Sequence, residues 1–193
     1  MQPWSVRASR CVFEDRWIRV RADDCWTKSG HAIAPYYVLD YPDWVHVVAL
    51  TPSRKIVLVR QYRHGVKTVT LGLPAGVMEA FDRDPASCGA RELTEETGYA
   101  AEEVRTILSL SPNAATHSNR VHVVVATNAR FSGPPIGDPT EEIEVVESDI
   151  AVAVAMALRG DFLQAMHVCS LITGLTSAGL LSLNVASTEP HED

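Results

Sequence analysis

The sequence predicts an α+β domain with a mixed sheet and helices packed on it. Three observations carry this: short period-two runs fill the chain up to Leu71, one well-capped helical stretch follows, and strands then alternate with two further helical stretches. A length of 193 residues with 46% apolar and 21% charged side chains suits one folded unit and excludes a disordered or low-complexity chain.

Taken in order, Cys11-Val12-Phe13, residues 17–22 and residues 34–39 read as strands of an antiparallel ribbon, punctuated by Asp23-Asp24 and Ser29-Gly30. Residues 44–50 and 56–59 are the arms of a hairpin around Thr51-Pro52-Ser53-Arg54-Lys55. Residues 68–71 form another strand, ended by Pro74 and Gly76. Asp84 is an N-cap with Pro85 in the first helical position, and Gly98 is the matching stop, leaving close to four turns between them. Ala86, Ala90 and Leu93 give that helix a narrow apolar stripe. Strands at 120–126 and 143–146 flank a Gly- and Pro-rich loop at 132–139, and helices near 149–158 and 162–183 close the chain.

Acidic residues outnumber basic ones 24 to 17 and no Lys/Arg cluster interrupts the excess, which argues against a nucleic-acid partner. Cys11, Cys25, Cys88 and Cys169 stand far apart without CxxC spacing, so neither a zinc cage nor a disulfide framework is expected, and a cytoplasmic compartment fits. The N-terminus lacks the basic-then-apolar build of an export signal. Residues 162–188 carry no Asp, Glu, Lys or Arg, yet polar residues recur through them, so they read as a buried or interface helix and no membrane partner is expected.

The chemistry concentrates in Arg91-Glu92-Leu93-Thr94-Glu95-Glu96-Thr97-Gly98-Tyr99. On a helix, Glu92, Glu95 and Glu96 share one face, where like charges repel by a few tenths of a kcal/mol per pair. A divalent cation relieves that repulsion, and hard oxygen ligands suit Mg²⁺ or Mn²⁺. A solvated acidic helix face is the bland alternative for these residues taken alone. Upstream, Leu73-Pro74-Ala75-Gly76 is a turn able to bring backbone carbonyls beside the helix, with Gly76 permitting a positive φ or a close approach.

In these residues the sequence resembles the Nudix hydrolases, whose motif runs Gly, five residues, Glu, seven residues, then Arg-Glu-apolar-x-Glu-Glu-x-Gly-apolar. The second half matches at every fixed position from Arg91 to Tyr99. The first half departs: Asp82 stands where the family has Glu, and eight residues precede Arg91, an insertion within Phe81-Asp82-Arg83-Asp84. Val57-Leu58-Val59-Arg60-Gln61-Tyr62-Arg63, Leu73-Pro74-Ala75-Gly76 and Ser111-Pro112 look like the ADP-ribose pyrophosphatase branch, although Gly72 replaces an acidic residue frequent there. The resemblance spans about residues 10–175.

The resemblance implies an α/β/α sandwich and hydrolysis of a nucleoside diphosphate linked to another group, with Mg²⁺ or Mn²⁺ as cofactor. ADP-ribose or a related ADP-sugar is the first expectation, giving AMP and a sugar phosphate; GDP-mannose, other nucleotide sugars or dinucleotides are rivals, as is a non-catalytic nucleotide sensor. Carried over, Glu92 and Glu96 bind metal, Glu95 is a further ligand, the Ala75 carbonyl is a backbone ligand, and Arg91 orients the glutamates. A general base is sought at Asp138-Pro139-Thr140-Glu141-Glu142, with Glu141 first and Glu142 second. Arg63 is a candidate for the diphosphate because guanidinium grips phosphate oxygens in pairs. Glu79 belongs to the same substrate-binding set, or else neutralises Arg63 in a salt bridge. Trp44, Trp17 and Tyr62 are candidates to stack on a base. His117 lies on a loop within reach of substrate, and His122 alternates within a strand as a structural residue. Residues 1–44 are expected to form a β segment for homodimerisation, with strand exchange common in the branch, and residues 45–193 the hydrolase domain.

Overall fold

The computed structural model describes residues 2–137 and 140–182. The chain begins with a three-stranded antiparallel ribbon, β1 (Ser5–Glu14), β2 (Arg19–Trp26) and β3 (Ala32–Asp40), and continues into β4 (Trp44–Leu50), β5 (Lys55–Arg63), β6 (Thr68–Gly72) and β7 (Ala75–Val77). Helix α1 (Pro85–Thr97) follows, then β8 (Tyr99–Ala100), β9 (Glu103–Leu110), β10 (Val121–Thr127), β11 (Arg130–Phe131) and β12 (Ile143–Asp149), and finally α2 (Ile150–Arg159) and α3 (Ala165–Ser177).

The main sheet runs β12-β5-β4-β10-β9, with β6 on β5 and β7 on β4; β4 and β10 are parallel and the other pairs antiparallel. Strand β4 is buried almost throughout, so it has no solvent face and reads as a continuous apolar run. Its alternation still sorts side chains. Val45, Val47 and Ala49 join Cys88 and Leu93 of α1 in one cluster, while Val48 and Leu50 join Ala153 and Ala157 of α2 and Leu171 and Leu175 of α3 in the other. The sheet is therefore covered on both faces, the α/β/α sandwich expected.

β4 and β5 pair only at the hairpin end, Ala49 with Val57 and Leu50 with Ile56. Beyond it the arms splay: β5 turns to β6 from Val59 to Arg63, and β4 turns to β7 from Trp44 to His46. This split positions the site described below. The ribbon joins the main body through Leu39, whose N–H donates to the Thr116 carbonyl at 2.7 Å, and Ser118, whose hydroxyl donates to Asp40 at 2.6 Å.

Several elements differ from the sequence-based expectation. Residues 75–77 form a strand rather than a turn, because β4 offers them an edge. The final helix is Ala165–Ser177, shorter than 162–183: Gln164 has extended ψ of 112°, and the chain leaves the helix before Gly179, which has φ of +69°. Residue 183, with Asp138 and Pro139 of the expected loop, lies outside the described residues. The side chains buried by α1 are Cys88, Gly89, Leu93, Glu96 and Thr97; Ala86 and Ala90 are only half-buried. A Cβ on Gly89 would meet Val124 at 3.0 Å, so it is glycine that lets the helix press onto β10. Strand β9 was not expected either. No helix among the described residues is long and apolar enough to cross a membrane.

Candidate active site

Helix α1 is fixed at both ends by local chemistry. Asp84 accepts from the Ser87 N–H at 2.7 Å while the Ser87 hydroxyl accepts from the Asp84 N–H at 3.0 Å, and Gly98 caps the other end at φ of +73°. Burying Leu93 on the sheet turns Glu92 and Glu96, one helical turn apart, toward β7. Glu96 is only 6% exposed and accepts from the Ala75 N–H at 3.0 Å. A Cβ on Gly76 would lie 2.0 Å from the Glu92 carboxyl carbon, so close approach, not a positive φ, is what requires glycine there. The amide of Ala75 thus ties β7 to the helix at Glu96.

Arg91 is the hub of the charges. Its guanidinium lies 2.8 Å from Glu92 and 2.8 Å from Glu95, and it donates to Asp82 at 2.9 and 3.1 Å and to the Val77 carbonyl at 3.1 Å. Asp82 therefore has a role despite the inserted residue: Arg91 holds its carboxyl below the usual range, and a turn in which the Glu79 N–H donates to Asp82 at 2.9 Å absorbs the extra length. Arg91 thus reaches three acidic side chains.

Burial pushes the Glu96 carboxyl up to about 8 and Glu92 up to about 7, and Glu141 adds negative charge felt by both. Arg63 acts the other way on Glu96. Among the described residues no three acidic, His or Cys side chains converge as a ready-made cation site, and Arg91 ion-pairs with both Glu92 and Glu95. Two carboxylates with raised proton affinity do match a hard divalent ion that completes its shell with backbone oxygens, waters and substrate phosphate, the usual habit of Mg²⁺.

Beside these carboxylates, the split between β4 and β5 opens as a cavity of about 280 Å³. Trp44 and His46 line it from β4, Arg63 from the end of β5, and Ala75, Gly76 and Val77 from β7. Gln164 and His167 close it from the start of α3. Trp44 packs near Tyr41, 5.3 Å between ring centroids, and His117 at 6.1 Å. The two imidazoles stack at 4.1 Å, with His46 Nδ1 3.0 Å from the Ser170 hydroxyl and His167 Nδ1 accepting from the Leu73 N–H at 2.9 Å. Burial keeps both neutral: His46 is lowered to about 4 and His167 well below its ordinary value.

The structure thus brings together Glu92, Glu95, Glu96, Arg91 and Ala75, with Arg63 and Trp44 in the adjoining cavity. Glu141 is exposed but within electrostatic reach of the glutamates. Glu79 stands exposed on the turn before α1, outside the cavity wall and, among the described residues, without an ion pair to Arg63. Tyr62 and Trp17 are exposed away from the cavity, Trp17 on the approach to β2 beneath Arg16. His122 is structural, bridging Asp43 at 3.0 Å and Ser109 at 2.7 Å. Sequence reasoning missed His46, Gln164 and His167, whose partners lie too far along the chain for any spacing to disclose.

Comparison with known proteins agrees with this fold. The model of the NUDIX domain matches residues 40–165, and that of the nucleoside diphosphate sugar hydrolase N-terminal domain matches residues 4–39. The methanol dehydrogenase activator of Bacillus methanolicus is 29% identical over 137 residues, 70% of this chain and 73% of the relative. The ADP-ribose pyrophosphatase of Mycobacterium tuberculosis is 28% identical over 160 residues, 82% of this chain and 73% of the relative. A crystal structure described as an ADP compounds hydrolase superposes with a TM-score of 0.80 over 94% of this chain and 98% of its own, at 23% identity, and shows the shared fold. With residues 91–97 of its motif folded as the end of the helix that carries Glu92 and Glu96, the chain belongs to the Nudix family of hydrolases.

Proposed function

We propose that this chain is a Mg²⁺- or Mn²⁺-dependent pyrophosphohydrolase of nucleoside diphosphates linked to a sugar, with ADP-ribose as the first substrate to test. The observation that carries this reading is the pair of carboxylates with raised proton affinity, buried Glu96 and half-buried Glu92, set beside a cavity furnished with Arg63 and Trp44. The named activity of the mycobacterial relative supports the choice of ADP-ribose.

Glu92 and Glu96 would hold the divalent ion, with the Ala75 carbonyl and Glu95 as further ligands. When bound, the ion lowers the pKa of water and neutralises charge building on the phosphoryl oxygens. Arg91 keeps Glu92 and Glu95 in place from behind. Arg63 grips the diphosphate, and Trp44 offers its face to the base. Glu141 takes the proton from the attacking water, since it lies near enough for Glu92 and Glu96 to feel its charge. Water adds to one phosphorus, the bridging P–O bond breaks, and ADP-ribose becomes AMP and ribose 5-phosphate. Incubation with ADP-ribose and Mg²⁺ should yield those two products, and the Glu141→Gln variant should yield them much more slowly. A wild-type protein that cleaves neither ADP-ribose nor any other nucleotide sugar overturns the reading.

Residues 1–44 form the homodimer interface of a cytoplasmic enzyme in this proposal. In its support, β1 is exposed along its whole length, and Val6, Val12, Phe13 and Tyr37 each expose more than half their surface.

A further inference from the structure

The inner end of the cavity has a donor that the reaction above does not use. The Leu73 N–H can only donate, so His167 Nδ1 accepts and the neutral imidazole carries its proton at Nε2. His167 is 3% exposed, and among the described residues Nε2 has no partner although the ring lines the cavity. Nε2 is open to the cavity and not sealed from it, so its N–H is free to donate to a ligand or water that enters. The seat is built for this ring: a Cβ on Gly72 would lie 2.8 Å from Nδ1, so the absence of a side chain at the position where the sequence departs from its branch is what admits the imidazole.

Apart from Arg63, the polar side chains that line the cavity and its recess beside His167 are uncharged. Gln164 stands one turn ahead of it, and its side chain caps nothing on α3. A recess of about 10 Å³, room for about one water, connects His167 to Gln61, whose Oε1 is buried and without a partner. Arg63 lines the same cavity as His46 and His167, and its charge is felt by Glu96 as well as by both imidazoles. A diphosphate held by Arg63 in that cavity therefore has His167 within reach of its next substituent. Uncharged donors and acceptors at the end of a pocket match hydroxyls, not a further phosphate.

We propose that His167, with Gln164, forms a polyol subsite in which the His167 Nε2–H donates to a hydroxyl of the sugar beyond the diphosphate. This rests on the hydrolase reading above and assigns the specificity of that same site. The test compares kcat/KM for ADP-ribose and for the methyl ester of ADP, which keeps the diphosphate but lacks the polyol. In His167→Asn the Oδ1 can still accept from the Leu73 N–H, while the shorter amide no longer places a donor where Nε2 lies. Its preference for ADP-ribose should narrow about tenfold, mainly through KM, as expected for one hydrogen bond to a buried donor. Equal losses on both substrates would make the residue merely structural and overturn the subsite. Should His167→Asn not fold, Gln164→Ala must show the same narrowing, and an unchanged ratio overturns the proposal. A binding readout separates the two readings: in ¹⁵N-histidine spectra of the Glu96→Gln protein, ADP-ribose should move the His167 Nε2 resonance and ADP should not. Movement without turnover in the wild type retains the subsite and removes the hydrolase; turnover without movement does the reverse.

Discussion

A carboxylate as buried as Glu96, with Glu92 one turn back and Glu141 in electrostatic reach, destabilises the protein unless a proton or a cation joins it. Glu96→Gln keeps an acceptor for the Ala75 N–H and removes the charge. Turnover should fall about a thousandfold, roughly 4 kcal/mol of transition-state stabilisation, while the melting temperature holds or rises. Steady-state kinetics and calorimetry check both. The pH dependence follows with a definite sign. Glu92 and Glu96 titrate at about 7 and about 8 when folded against 4.5 ordinarily, so the native state keeps protons that the unfolded chain has released. Stability contributed by these groups is present below about pH 4.5 and is lost as pH rises through 7 and 8. Thermal melts at pH 5.5 and 8.5 should show this loss in the wild type, a smaller one in the Glu92→Gln/Glu96→Gln variant, and recovery at pH 8.5 on adding Mg²⁺. A wild type and double variant with identical pH profiles would contradict the assigned burial. At this scale the glutamates and Arg91 were legible because one helix carries them all, whereas His46 and His167 meet only after folding.

The element that matters most is the contact between α1 and β7. Gly76→Ala places a methyl group inside the space of the Glu92 carboxyl, so either the strand or the glutamate must shift. A loss of about 1–3 kcal/mol in stability, with turnover falling further than stability alone explains, is the expected outcome of denaturant titration and kinetics. Retention of full activity would show that Glu92 is free to move without consequence. Helix α1 was readable to its ends because its signals are local: Asp84, Pro85 and Gly98 each act on their own backbone. Its buried face was not, since Glu96 and Thr97 are covered by other elements and only tertiary packing reveals that. Strand β7 escaped detection because Pro74 and Gly76 carry turn signals, which pairing with β4 overrides. Strand β9 escaped because it lies at the sheet edge and is half-exposed, so its alternation is weak.

Across the whole molecule, the split between β4 and β5 joins the two halves of the account: it spreads the sheet so that α1 supplies carboxylates while β4 and α3 supply the imidazoles of His46 and His167 to neighbouring parts of one cleft. The fold class and its layers were legible because buried strands and capped helices alternate along the sequence; the split was not, because it depends on which strand each hairpin arm chooses beyond Leu50 and Ile56. The exposed ribbon makes a prediction at this scale. Light scattering after size exclusion should give twice the 21.1 kDa chain mass, and charged substitutions at Val12 and Phe13 should halve it; a wild-type mass of one chain would remove the dimer from the account. The most direct test of the central claim is ³¹P spectroscopy of ADP-ribose mixed with the protein and Mg²⁺, run beside the Glu92→Gln/Glu96→Gln variant. Wild-type protein should convert the diphosphate signals into those of AMP and ribose 5-phosphate and the variant should leave them intact, whereas equal conversion by both would contradict the claim that these two carboxylates drive the cleavage.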